Sequence, residues 1–152
     1  MTLIVTEIIG NIHQSGVLKE LEVETVEIEN EALAKRIHHL VTSKGTSVSI
    51  RLPKGQHLHA GDILVEEQKR RIIVDVLPED VLVIVPTTVQ MMGEIAHELG
   101  NRHLPAQFFE NQMIIQYDYL VEQLLQQKKI PFSRESKKLS TAFRHIGHSH
   151  DE

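Results

Sequence analysis

Short runs of branched apolar residues dominate the first half of the chain. Leu3–Ile9 reads as a strand ending at Gly10. Residues 19–29 alternate. Leu21, Val23, Thr25, Glu27 and Glu29 share one face, and Glu20, Glu22, Glu24, Val26 and Ile28 the other, as in a strand with its acidic side in water. Residues 31–36 are good helix formers but too few to decide their type. Ile37–Thr42 and Thr46–Leu52 flank Ser43-Lys44-Gly45 and predict a hairpin. Ala60-Gly61-Asp62 predicts a tight turn, with Ile63-Leu64-Val65 after it.

The second half has a different rhythm. Ile72–Val76 and Val81–Val85 read as strands around Pro78-Glu79-Asp80. A helix follows over 87–99, where Val89, Met92, Ile95, Ala96 and Leu99 recur at helical spacing. Thr87 and Gln90 have capping-box spacing at its start. Gly100 is placed for a left-handed exit, and Pro105 prevents the helix from resuming. Leu104–Phe109 and Met113–Tyr117 predict two more strands around Glu110-Asn111-Gln112. Asp118 can cap a second helix lined by Leu120, Val121, Leu124 and Leu125, and Ile130–Ser133 reads as a last strand. From about residue 80 the order is βαββαβ, the ferredoxin-like pattern. Residues 134–152 are polar, with basic and histidine clusters, and read as a mobile tail whose histidine-bearing part is its last ten residues. The expected class is therefore α+β, with a β-rich domain over 1–72, a ferredoxin-like domain over 73–142 and a flexible histidine-bearing tail over 143–152.

Composition narrows the chemistry. Cysteine is absent, which excludes disulfides, thiolate zinc sites, Cys nucleophiles and iron–sulfur clusters. The formal charge of -5 argues against nucleic-acid and anionic-membrane partners, which select basic surfaces. No apolar run has the length of a membrane span and no signal-peptide pattern opens the chain, so a cytoplasmic location is expected. There is no phosphate-loop motif, no H-E-x-x-H and no G-x-S-x-G, so the chain is not expected to be an enzyme. Histidine stands out, with ten in all; His145, His148 and His150 fall within the last eight residues.

His103 lies just beyond the first long helix, where unpaired carbonyls and the helix dipole favour a cation. The residues alone leave it as a polar cap or as a metal ligand. His148-x-His150 with His145 is open between solvated tail and ligation. His57-x-His59 reads as a surface loop whose two rings point the same way. His38 and His39 face opposite sides of a strand, and His97 falls off its helix's apolar stripe.

Gly100-Asn101-Arg102-His103 after an apolar-faced helix resembles the signature of the UreE-type urease accessory proteins. Gly61-Asp62 with Ile63-Leu64, Asp118 opening a helix, Pro131-Phe132 and Gly147-His148-Ser149-His150 extend the likeness over nearly the whole chain. The resemblance implies a homodimeric nickel metallochaperone that delivers Ni(II) for assembly of the urease active site and hands it to a partner GTPase in the maturation complex. It implies His103 as the ligand on the dimer axis and His148 and His150, with His145 nearby, as tail ligands. Zn(II) and Cu(II) should also bind, since both accept imidazole. The first domain would be the protein-contact half. Some members carry histidines on both sides of the aspartate that opens the second helix; here Tyr117 and Tyr119 stand there. The competing readings are a metal-independent protein-interaction module and a metal-dependent hydrolase.

Overall fold

The computed structural model describes residues 1–15, 22–67 and 69–143. His145, His148 and His150 lie outside the described residues, as does the start of the strand expected over 19–29. The chain divides into two compact units. One is Met1–Leu77 joined by the chain from Lys138 onward, and the other is Pro78–Lys137.

The first unit holds two sheets. β1 (Thr2–Val5) is much shorter than the sequence predicts, because the chain leaves one sheet for the other. β2 (Gly10–Asn11) belongs to the second sheet, and a single helical turn, α1 (Ile12–Ser15), follows it. Next come β3 (Glu22–Ile28), a 3-10 turn over Asn30–Ala34, the hairpin β4 (Ile37–Val41) and β5 (Ser47–Arg51), then β6 (Asp62–Glu67) and β7 (Arg70–Val76). β1 runs parallel to β5, which pairs antiparallel with β4. In the second sheet the order is β2-β6-β7-β3, with β3 and β7 parallel. β7 runs unbroken across 72/73, where sequence reasoning sets the domain boundary. Nothing in its branched apolar run marks an end before Leu77. Val26, Ile28, Val48, Ile50, Leu58, Leu64, Ile72 and Val74 build the core between the sheets.

The acidic face of β3 is not wholly in water. Glu24 is only 4% exposed. Its carboxylate accepts from the Thr42 and Thr46 hydroxyls at 2.7 and 2.9 Å, and Arg70 Nη1 approaches to 3.4 Å. The Thr42 hydroxyl foremost, then Thr46 and Arg70, hold this carboxyl below its usual range, against the opposing effect of burial. The β4–β5 turn is thereby tied to β3 across the sheets.

The second unit reads β8 (Glu79–Ile84), α2 (Val89–Asn101), β9 (Ala106–Phe109), β10 (Gln112–Gln116), α3 (Tyr119–Lys128) and β11 (Phe132–Lys137). The sheet order is β11-β8-β10-β9, antiparallel throughout. Both helices pack on one face: Ile95, Leu99, Val121 and Leu125 meet Leu82, Ile84, Met113 and Ile115. Period-two alternation places those strand residues on the same side, as Ile84 pairs with Met113 and Leu82 with Ile115.

Two local expectations change. The first long helix is capped by Thr88, not Thr87, whose neighbour's hydroxyl accepts from the Met91 amide at 3.0 Å. Val89 is 91% exposed, and Met91 joins Met92 and Ala96 against the core instead. The last strand extends to Lys137, so residues 134–137 are sheet rather than tail. Residues 138–143 then return to the first unit. Buried Asn30 donates to Thr141 O at 2.9 Å and accepts from the Phe143 amide at 3.1 Å, and Ala142 joins the core. A polar stretch reads as tail, but one buried asparagine satisfies its backbone and seats it.

Candidate functional site

α2 ends in a way that glycine placement does not foretell. Gly100 remains helical, and the left-handed residue is His103, at φ 57°. Two reversed bonds close the end: the His103 amide donates to Gly100 O at 3.0 Å and the Leu104 amide to Leu99 O at 3.2 Å. This is a Schellman cap, with Arg102 as its C-cap and His103 at the position where glycine is usual. Leu104 packs back on the core beside Leu99, which supplies the cap's apolar contact. A side chain in left-handed backbone is strained by about 1–2 kcal/mol, and histidine tolerates it better than most residues. The cap therefore carries an imidazole at a conformational cost.

His103 is exposed. Arg102 Nε lies 3.8 Å from Glu98 Oε2, an exposed i,i+4 pair. Such a pair contributes about 0.3–0.5 kcal/mol and orients the helix end more than it stabilises it. Past the cap, β9 is the edge strand of its sheet. Phe108 and Phe109 on it are 62% and 61% exposed, an uncommon load of aromatic surface for a sheet edge.

The tyrosines flanking Asp118 have structural partners. Asp118 caps α3 by accepting from the Val121 amide at 3.0 Å. The Tyr117 ring lies 3.6 Å beneath the Arg134 guanidinium, and its hydroxyl donates to Glu122 at 2.7 Å. The Tyr119 hydroxyl oxygen accepts from Gln123 Nε2 at 2.8 Å.

The remaining histidines separate clearly. His97 is exposed, off the packed face of α2. His38 is buried, with Nε2 2.9 Å from Lys35 O, and burial pushes its pKa down; His39 on the opposite face is exposed. Among the described residues no three His, Asp or Glu side chains already converge on a point that would hold a metal ion.

One grouping was not legible in the sequence. His13 joins His57 and His59 at the rim of an open cavity of about 700 Å³ in the first unit. The signal that could have suggested it is Gly61. At φ +85° it turns the chain back, and a Cβ there would stand 2.7 Å from the His13 ring.

No described helix is long and apolar enough to cross a membrane. Residues 5–77 match the N-terminal domain of the UreE urease accessory protein, and residues 79–152 match its C-terminal domain. The join between those matches coincides with the structural division at Leu77/Pro78. Urease accessory proteins UreE of Staphylococcus aureus strains Newman, JH1 and COL are each 56% identical over 150 residues, covering 98% of this chain and the whole of each relative. These are accessory proteins of urease maturation rather than enzymes. On two domain matches and full-length similarity, the chain belongs to the UreE family of urease accessory proteins.

Proposed function

We propose that this chain is a cytoplasmic, homodimeric carrier that binds Ni(II) and delivers it for assembly of the urease active site. The observation that carries the reading is His103, an exposed imidazole held in left-handed backbone at a Schellman cap where glycine would be easier. Strain retained at an exposed side chain points to a role for that side chain.

One imidazole per chain does not complete a site. An isologous two-fold axis beside β9 would cover Phe108 and Phe109 with their own copies and bring one His103 to its mate. Two nitrogens would then face one ion, and His145, His148 and His150 from the two tails would fill further positions. Ni(II) accepts imidazole nitrogen, and Zn(II) and Cu(II) compete for the same donors, with Cu(II) the tightest. The cap fixes the backbone of His103 before metal arrives, while the tail donors close afterwards. That division lets the ion be held and still be passed on. The receiver in this reading is the GTPase of the urease maturation complex, with the first unit as the protein-contact half.

The test is nickel titration of tag-free, full-length protein with its molar mass followed in solution. One tight Ni(II) per dimer is expected, lost in His103→Ala while the dimer and the fold persist. Urease activation at limiting nickel, in a host lacking the protein, should fall in parallel. Unchanged nickel affinity in His103→Ala sinks the assignment.

A further inference from the structure

We infer that His57, His59 and His13 form a second site for a divalent first-row transition ion, in the first unit and independent of His103. The geometry begins with the loop before β6. Leu58 is fully buried and its amide donates to Leu33 O at 2.9 Å. The chain is thereby fixed, and residues 57 and 59 both turn away from the core into the cavity. Their ring centroids lie 4.7 Å apart, tilted by 42°. With metal–nitrogen bonds of about 2.0–2.1 Å, two imidazoles on one ion at near-right to tetrahedral angles have centroids about 4.5–5.2 Å apart. The centroid separation of the pair falls within that range.

The third donor comes from a different part of the chain. The Ile12 amide donates to Gly61 O at 3.0 Å, and the His13 ring lies against the bare Cα of Gly61. A buried aspartate and a half-buried asparagine position both histidine-bearing segments. Asp62, 5% exposed, accepts from the His59 amide at 2.7 Å and from Asn11 Nδ2 at 2.9 Å. Asn11 Oδ1 in turn accepts from the His13 amide at 2.8 Å, and its Nδ2 also reaches Ala60 O. Asp62 Oδ2 lies 3.8 Å from His59 Nδ1, beyond hydrogen-bond range but facing that nitrogen. A small turn of the ring would make the carboxylate–imidazole contact that orients metal-bound histidines and leaves Nε2 for the ion. His13 is exposed and lines the same cavity, so in this proposal its ring turns toward the pair by a change of rotamer. The three donors are not yet gathered, which suits an ion that is collected and released; water would complete the coordination.

The probe is Cu(II), added below one equivalent to the full-length chain carrying His103→Ala, His145→Ala, His148→Ala and His150→Ala, with amide NMR signals followed. Paramagnetic broadening should fall first on Asn11, His59 and Gly61. Adding His57→Ala with His59→Ala should raise the Cu(II) needed for half-broadening at least tenfold, and His13→Ala several-fold. Both changes should leave the remaining spectrum, and so the fold, in place. Zn(II) should shift the imidazole nitrogens of the same three residues. Broadening spread over the surface, or unaffected by the double replacement, overturns the proposal. In the unreplaced chain the two sites are read separately, around Gly61 and around Leu104, so failure of either leaves the other measurable.

Discussion

Replacing His103 by glycine should make the folded chain more stable and useless as a nickel carrier. His103 sits at φ 57°, and the two cap bonds come from its own backbone amide and that of Leu104, both of which the glycine variant retains. Removing the Cβ relieves about 1–2 kcal/mol of left-handed strain. Glycine also loosens the unfolded chain, which takes back about 0.4–1 kcal/mol. The net gain of His103→Gly over His103→Ala is roughly 0.5–1 kcal/mol, since alanine keeps the Cβ and its strain. At a urea dependence of about 2 kcal/mol/M, the midpoint should rise by about 0.25–0.5 M. Tyr117 and Tyr119 are the chain's two tyrosines, there is no Trp, and both lie in the Pro78–Lys137 unit. Tyrosine fluorescence therefore reports the unit that carries the substitution. The measurement is made with chelator present, because bound metal would stabilise the unreplaced chain by mass action. Nickel titration of the same two proteins should show the tight site gone from both. If His103→Gly is less stable than His103→Ala, the strain argument is wrong. If either variant keeps its nickel affinity, His103 is not the ligand.

Phe108→Glu should shift the protein to monomer in sedimentation and weaken nickel binding at least tenfold, because a charge would replace the exposed ring on the edge strand; a dimer with unchanged affinity would place the interface elsewhere. Deleting residues 144–152 should weaken nickel binding yet leave one ion per dimer by titration, and complete loss would mean that the tail rather than His103 makes the core site. Glu24→Gln should cost about 1.5–3 kcal/mol at neutral pH, as charge-assisted bonds from Thr42, Thr46 and Arg70 weaken around a buried group. The Glu24 carboxyl is held below its ordinary value of 4.5, so its contribution is complete above that pH and lost as pH falls through the lower folded value. The stability gap between the two proteins should therefore close in acid, and a gap constant from pH 7 down to pH 3 would refute that origin.

Period and punctuation were enough to place most elements. The hairpin around Ser43-Lys44-Gly45, both long helices and the βαββαβ order are local signals, and they survive in the structure. What escaped reading depends on partners far away in sequence. Glu24 looks like one more exposed acid in an alternating strand until Thr42, Thr46 and Arg70 surround it. Residues 138–143 look like tail until Asn30 takes their backbone. The helix exit shows the limit of a local rule most clearly. Gly100 is the obvious left-handed residue, yet the helix runs one residue past it and puts the strain on His103. Propensity favours the glycine; packing of Leu99 and Leu104 sets where the turn must fall, three residues later.

That displacement bears on how a carrier can bind tightly and still let go. A ligand on a free segment loses conformational entropy when it closes on an ion, by about 1–2 kcal/mol for each backbone residue it orders. His103 avoids that loss, because two cap hydrogen bonds and the half-buried Leu104, packed on the core, fix its backbone beforehand. A donor so held sets a floor on affinity that does not depend on the tail. In the proposed site, donors added from the tail would give less net free energy each, and could leave one at a time without disturbing the cap. Exchange from the proposed carrier to a receiving protein would then proceed by replacing tail nitrogens first, with the ion still held by the two His103 rings. A site built wholly of preorganised donors would bind more tightly and release more slowly. A site built wholly of tail would release readily and bind little at low nickel. In the proposed carrier, the strained histidine at the cap is the part of the sequence that would make the intermediate behaviour possible.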